Sequence, residues 1–243
     1  MMRRLLLAAT AVAVVAGSAL AADLPSREAP PVYVPPPPVF TWSGLYVGAQ
    51  IGYAWGTDSL SVTDPNGIQV ISGSYKPNGV IGGAHVGYNL QLNTLVAGVE
   101  GDVEGTGYSS SSAFGPGTFS TRIPVQGSVR VRLGLALDRA LLYVTGGAAF
   151  AGFDNTYLTG LGFDSVSKTR TGWTVGGGIE YALNANWSIR AEYRYADYGS
   201  FNDYLTNSAP YGTFARHHET QNSVRGGISY KFGAPPAPVV TKY

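Results

Sequence analysis

The chain reads as an all-β protein, an eight-stranded, antiparallel, up-and-down transmembrane β-barrel. Two observations predict it. Eight stretches alternate apolar with small or polar residues, and on the apolar parity none carries a charge. Those stretches are joined by connections that are alternately short and long. A closed sheet with lipid outside and a polar interior requires the first feature, because an outward Arg or Lys at mid-membrane costs about 2–4 kcal/mol.

The N-terminus is set aside first. Met1-Met2-Arg3-Arg4 is basic, Leu5 to Val15 is apolar, and Ala19-Leu20-Ala21 is a small-x-small cleavage site, so residues 1–21 read as a secretory signal peptide. No later segment offers the ~20 consecutive apolar residues of a membrane helix. Residues 22–42 form a Pro-rich linker centred on Pro35 to Pro38, which favours polyproline II and acts as a semi-rigid spacer. Residues 43–233 make a single barrel domain, and residues 234–243 are a second Pro-rich extension.

Composition narrows the function classes. The absence of Cys excludes disulfide frameworks, thiolate catalysis and thiolate metal sites. Without Arg3 and Arg4 the mature chain is near neutral, so no basic excess points to nucleic acid. Charged residues are 13% of the chain, where roughly a quarter is usual in a soluble domain. A barrel that hides its charges inside explains the deficit.

Each strand then follows from period two. The first faces Leu45, Val47, Ala49, Ile51, Tyr53 and Trp55 outward. The second shows Val80, Gly82, Ala84, Val86 and Tyr88, with His85 and Asn89 inside. The third turns Leu95, Ala97, Val99 and Val103 to lipid and Glu100, Asp102 and Glu104 inward. In the fourth, Val125, Val129, Val131, Leu133 and Leu135 face out against Gln126, Ser128, Arg130 and Arg132.

The fifth carries Leu142, Val144, Ala148 and Phe150 outward, and the sixth Trp173, Val175, Ile179 and Tyr181, with Glu180 inside. The seventh shows Trp187, Ile189, Ala191, Tyr193 and Tyr195, with Arg190, Glu192 and Arg194 inside. The eighth shows Val224, Ile228, Tyr230 and Phe232, with Arg225, Ser229 and Lys231 inside.

Short connections fall near Gln91–Asn93, Asp138–Arg139 and Asn184–Asn186. Long loops are expected over Thr57–Asn78, Thr106–Ser120, Asp154–Thr171 and Ser200–His218. Outer-membrane barrels have short periplasmic turns, so both termini are expected in the periplasm. Two aromatic belts result: Tyr88, Tyr181, Trp187, Tyr230 and Phe232 at one rim, and Trp55, Phe150, Trp173 and Tyr195 at the other.

The interior charges admit two readings. Glu100, Asp102, Glu104, Glu180 and Glu192 share the lumen with Arg130, Arg132, Arg190, Arg194, Arg225 and Lys231. They form either a constriction that selects solutes or a salt-bridged plug. An eight-stranded interior is just wide enough for side chains to fill, which favours the plug.

Catalytic and metal constellations are weak. No spacing demands a Ser-His-Asp arrangement. His217-His218-Glu219 is the one cluster that suggests a metal or haem, but neighbours on an extended chain point opposite ways and share a ligand site poorly. Gly176-Gly177-Gly178 lacks the Lys-Ser/Thr of a phosphate loop and sits mid-strand, where small residues allow close backbone approach. No catalytic residue, metal site or cofactor is assigned.

The segment Arg225-Gly226-Gly227-Ile228-Ser229-Tyr230-Lys231-Phe232 is similar to the C-terminal insertion signal of outer-membrane barrels, carried here by Arg225, Gly227, Tyr230 and Phe232. With Ala22-Asp23-Leu24-Pro25 and Trp42-Ser43-Gly44-Leu45-Tyr46-Val47-Gly48, the chain resembles the alphaproteobacterial porin-family, opacity-like small outer-membrane proteins. One departure is that Phe232 is not the last residue.

The resemblance implies a Gram-negative outer-membrane surface antigen supporting envelope integrity. Its expected partners are outer-membrane lipid and lipopolysaccharide, the barrel-insertion machinery, and peptidoglycan joined through an N-terminus of Ala22-Asp23 type. The competing readings are a narrow porin for small solutes and an outer-membrane enzyme or haem binder.

Overall fold

The structure, a computed structural model, describes residues 40–114, 117–210 and 212–233, with the side chains of Tyr75, Ser112 and Phe114 excepted. The signal peptide, most of the linker including Ala22 and Asp23, and the C-terminal extension lie outside the described residues. Nine strands run in chain order: β1 (Gly44–Thr63), β2 (Gln69–Tyr75), β3 (Asn78–Leu92), β4 (Leu95–Phe114), β5 (Gly117–Leu137), β6 (Ala140–Thr159), β7 (Gly162–Ala182), β8 (Trp187–Tyr204) and β9 (Phe214–Lys231).

All neighbours are antiparallel, and β1 pairs β9 from Tyr46↔Lys231 to Thr63↔Phe214. That pairing closes β1 and β3 to β9 into an eight-stranded ring. Closure removes both sheet edges, the condition for a sheet to exist in lipid.

The ninth strand corrects the expected loop over Thr57–Asn78. Here β1 continues to Thr63 and β2 folds back on it from Asp58↔Tyr75 to Thr63↔Gln69. The other three long loops are also mostly strand, since β4, β6 and β8 run on to Phe114, Thr159 and Tyr204. The reason is that outward residues there are no longer in lipid. Ser59, Ser109, Thr118, Ser165 and Ser200 are exposed on the outer face of these extensions, so the apolar-out rule ceases to mark the strand.

At the opposite end the turns are tight. Asn93 and Asp138 each adopt a left-handed backbone (φ 56° and 52°), which their short polar side chains tolerate. Asn184 Oδ1 accepts hydrogen bonds from the backbone N–H of Asn186 and Trp187, both at 2.9 Å. This rim, where the chain also enters and leaves, is called the terminal end below, and the opposite rim the loop end.

The outward faces carry exposed apolar side chains from Leu45 to Phe232 between two aromatic belts. Trp187, Tyr230 and Phe232 form edge-on contacts at 5.1 Å on the terminal rim. Trp173 and Tyr195 meet at 5.4 Å on the loop-end rim. From Trp187 to Tyr195 the strand advances about 27 Å at ~3.4 Å per residue. With a tilt of about 40° that is roughly 20 Å along the axis, near the ~25 Å apolar band of such barrels.

Candidate functional site

The candidate site is the lumen, and it is filled in layers from the terminal end upward. Its mouth is stopped by the end of the segment read as linker. Trp42 is 4% exposed and packs with Val96, Ala136, Leu141, Tyr143 and Ala182. Its backbone N–H donates to Gln91 Oε1 at 2.7 Å. Lys231, expected in the interior charge set, instead donates to the Thr41 carbonyl and lies 4.5 Å from the Phe40 ring centre.

Above this stopper the other ten predicted interior charges come together. Glu100 meets Arg130 at 2.5 Å and Arg190 at 2.6 Å. Arg130 also reaches Asp102 at 3.1 Å and Glu192 at 3.0 Å. Arg194 bridges the same two carboxylates, at 3.1 and 2.8 Å. Adjacent register explains only part of this: Glu100 opposes Arg130, but Glu104 opposes Gln126 and Gly98 opposes Arg132.

The pairs of β8 with β4 and β5 already cross the lumen, and two more arginines find partners on strands that are not neighbours. Arg225, from β9, takes Glu104 with Nε and Nη2 at 2.8 and 2.9 Å. Arg132 donates to Glu180 on β7, stands 3.8 Å from Glu100, and stacks 3.7 Å above the Tyr143 ring. Five carboxylates face five guanidiniums in this set, so it is neutral as a whole.

Neutral side chains fill the remaining valences; Gln126, Ser128 and His85 follow the inward parity read from the sequence, whereas Tyr46, Tyr143 and Ser188 are not singled out there. Tyr46 donates to Glu100 at 2.7 Å, while Gln50 and Gln126 donate to Glu104 at 2.6 and 2.8 Å. Ser128 donates to Asp102 at 2.5 Å, Ser188 to Glu180 at 2.5 Å, and Tyr143 to Glu192 at 3.1 Å. His85 is buried, with Nε2 2.9 Å from Ser229 Oγ.

Inward glycines make room for these groups. A Cβ at Gly87 would lie 2.4 Å from the Tyr46 hydroxyl, and one at Gly178 2.8 Å from that of Tyr143. Gly227 of the insertion-signal segment does the same, since its Cβ would come 3.3 Å from Arg190 Nε. Around it, Arg225 points inward and Phe232 outward.

Two cavities beside these groups are small. The cavity beside Trp42, Tyr46, Asn89 and Glu180 measures about 20 Å³, and that beside Asp102, Glu104, Arg194 and Arg225 about 10 Å³. Each is the size of about one water.

Three further layers, absent from the sequence reading, complete the stack. An apolar layer of Ala54, Ile81, Tyr108, Ile123, Phe153, Tyr198 and Phe201 lies on the charges. Over it, His217 Nδ1 is 2.8 Å from Asp58 Oδ2 and its Nε2 2.8 Å from the Tyr157 hydroxyl. Tyr157 donates onward to Asp203 at 2.9 Å, and Asn155 joins the same carboxylate at 2.8 Å. Leu60, Val62, Phe119, Leu205 and Ala215 cover this polar layer from above.

His217 is thus inside and His218 exposed, on opposite sides of β9. Among the described residues no group of three or more His, Asp or Glu is arranged to hold a metal ion.

At the loop tips Asp164 ties two connections together. It accepts six hydrogen bonds from the backbone and side chains of Thr206, Asn207 and Ser208, at 2.7 to 3.1 Å. Burial alone would raise its pKa, but the donors of Ser208, Asn207 and Thr206 outweigh that and hold the carboxyl well below the usual carboxylate range.

An eight-stranded ring with a lipid-facing apolar band, aromatic rims and a charged interior defines an outer-membrane β-barrel. The outer membrane protein beta-barrel domain matches residues 7–232, and the chain belongs to that family. It is 36% identical to the 31 kDa outer-membrane immunogenic protein of Brucella melitensis biotype 1, over 95% of this chain and 100% of that one. To the 22 kDa outer membrane protein of Rhizobium leguminosarum bv. viciae it is 34% identical over 82% of each chain. The Pseudomonas aeruginosa outer membrane protein OprG shares the fold at a TM-score of 0.52 and 14% identity, covering 79% of this chain and 97% of that one.

Proposed function

We propose that this barrel is a closed, structural element of the outer membrane, with its terminal end in the periplasm and its loop end at the cell surface. It works without catalysis and without free passage of solutes. The observation that carries this reading is the stacked lumen, in which, among the described residues, apolar layers alternate with paired charges and the cavities beside those charges measure about 20 and 10 Å³. A solute path would have to open the Trp42 stopper, the ion-pair network and the layer around Phe153 and Phe201 together. The short turns favour a periplasmic terminal end. Relatives named as immunogenic fit a loop end displayed outside.

The N-terminus then has a structural task. In polyproline II, the residues from Asp23 to Phe40 would span ~55 Å at about 3.1 Å each, enough to carry Ala22-Asp23 toward the cell wall. Trp42 and Lys231 seat the barrel end of this spacer, so a tether to a peptidoglycan stem peptide would load the mouth of the barrel.

Two experiments test the parts separately. Planar-bilayer recordings of the purified protein should show channels that are tiny or absent, and large, long-lived conductance would overturn the closed reading. Muramidase-digested cell walls should yield N-terminal peptides carrying a muropeptide mass, lost on Asp23→Ala. Finding only free Ala22 amine would remove the tether and leave the closed barrel standing.

A further inference from the structure

Beyond the loop-end belt the wall of the ring is not paired all the way round. The ladder of β7 with β8 runs from Ala182↔Ser188 only to Trp173↔Asp197. On their other sides the same strands stay paired much further, β7 with β6 to Thr159↔Gly162 and β8 with β9 to Tyr204↔Phe214. Among the described residues, β7 from Gly162 to Gly172 and β8 from Tyr198 to Tyr204 therefore each keep one edge outside any ladder.

The divergence has a local cause. Asp197↔Thr220 is followed by Ser200↔His218, so β8 takes three steps where β9 takes two. Gly199 adopts φ 70°, and Asp197 Oδ1 accepts its N–H at 2.7 Å. Such a bulge bends its strand and can end a pairing. Further up, Asp164 of β7 holds the backbone of Thr206 to Ser208 and closes the far end. Between these limits lies a seam about seven residues long, ~23 Å at ~3.3 Å each. It stands beyond Trp173 and so in water, since lipid would not tolerate two unpaired edges.

The seam uncovers groups that the same parity hides elsewhere. Tyr108, Tyr157 and His217 point inward beyond the belt and are at most 1% exposed. Lys168 and Arg170 lie on the inward parity of β7, yet their side chains are 48% and 23% exposed. Both stand against Asp203, at 3.9 and 3.3 Å. That carboxylate is buried and also accepts from Asn155 and Tyr157, so one anion serves two cations. On the outward side, Phe163 and Tyr204 are exposed at the upper end of the seam.

We infer that this seam receives an extended acidic segment of another protein, which adds to the open edge of β7 as a strand. An unpaired edge is a template for another chain: backbone groups give the affinity, and alternate side chains select the partner. Lys168 and Arg170 are two residues apart on one face, so they match carboxylates at i and i+2 of the incoming strand. Phe163 and Tyr204 offer apolar contact to its opposite face. A second copy of this chain is a poor occupant, because pairing seam to seam would bring these cations together. The seam is in water at either orientation of the barrel, so the inference does not depend on which end faces the cell surface.

Binding is measured on the folded full-length mature protein in detergent micelles. The probe is a capped heptapeptide with Glu at positions three and five, Leu at two and six, and Thr elsewhere. Its comparators are an isomer with Glu at positions four and five, and the probe with its backbone N-methylated. The probe should bind at least about tenfold more tightly than either comparator. Hydrogen exchange should show added protection on β7 between Ser165 and Thr171. Lys168→Gln should weaken the probe by about threefold, whereas Arg216→Gln, at an exposed cation on β9, should leave it unchanged.

The peptide comparisons use the unmodified protein and stand whatever a variant does. Absence of binding, equal binding of either comparator, or protection away from the seam would each overturn the inference. Unchanged binding by Lys168→Gln would do the same. Self-association that the probe displaces would give the seam to a second copy and overturn the inference as well.

Discussion

Between the two aromatic belts the lumen is held by charge, whereas beyond the loop-end belt it is held by apolar layers around a small hydrogen-bonded centre. The change is an inversion of amphipathicity along the same strands. On β1, Leu45 to Trp55 put apolar groups outside, but Leu60 and Val62 put them inside while Ser59 and Ser61 face out. On β5, Val125 to Leu135 face lipid, but Phe119 is buried between outward Thr118 and Ser120. The solvent changes, and the sheet follows it. Below the belt the hydrophobic effect adds little to the lumen because lipid accepts apolar groups as readily; above it, water drives the same positions inward.

The comparison can be broken most severely at the charges. Arg130 touches three carboxylates and is 1% exposed. Arg130→Ala should destabilise the barrel by roughly 3–5 kcal/mol, because buried carboxylates lose a partner. Urea titration of the folded form in lipid measures this. A change below about 1 kcal/mol would mean that water already screens the network.

A second experiment probes the inversion itself. Val129→Arg, outward in the band, should cost about 2–4 kcal/mol, whereas Ser59→Arg, outward beyond the belt, should stay within about 0.5. Similar costs at both sites would show that the belt has been placed wrongly.

Smaller effects belong to the loop end. Tyr157→Phe removes the hydroxyl joining His217 and Asp203 and should cost roughly 1–3 kcal/mol, with the ring between belts unaffected. Hydrogen exchange should localise the loss to β6, β8 and β9 above the belt.

Asp164 gives the mildest test and a sign. Its folded pKa lies below the ordinary 3.8, so its stabilisation is fully present above that value and fades as pH falls through the folded one. Proteolysis of the Thr206–Ser208 connection should therefore be flat from neutral pH down to about 4 and increase only in stronger acid. Asp164→Ala should make the same connection sensitive at neutral pH.

The same inversion explains how far sequence reasoning reached. Eight strands, their facing and all ten interior charges could be read between the belts, because lipid forbids outward charge and makes the parity unambiguous. Beyond Trp55 the rule has no purchase: Asp58, Leu60 and Val62 sit on the inward parity, yet the serines between them resemble a loop. Continuing the parity past the belt, with apolar positions now read as inward, would have found β2 and the layer around Leu60.

Partner choice inside was also beyond reach. Arg132 and Glu180 lie on strands that are not neighbours, and only the diameter of the closed ring brings them together. Trp42 shows the reverse case, a residue assigned to the linker by its Pro-rich surroundings but packed in the mouth by its size.

The pairing of β1 with β9 joins Tyr46 to Lys231, nearly the two ends of the barrel sequence. Most other ladders join chain neighbours and can zip as hairpins. This one must wait for the last strand, and until then the growing sheet has two raw margins. In hydrocarbon, each unsatisfied backbone group there costs several kcal/mol. A partly inserted sheet is thus a poorer state than either an uninserted chain or a finished ring. Closure and insertion are therefore one event, and the final seam acts as the latch that makes the whole assembly all-or-none.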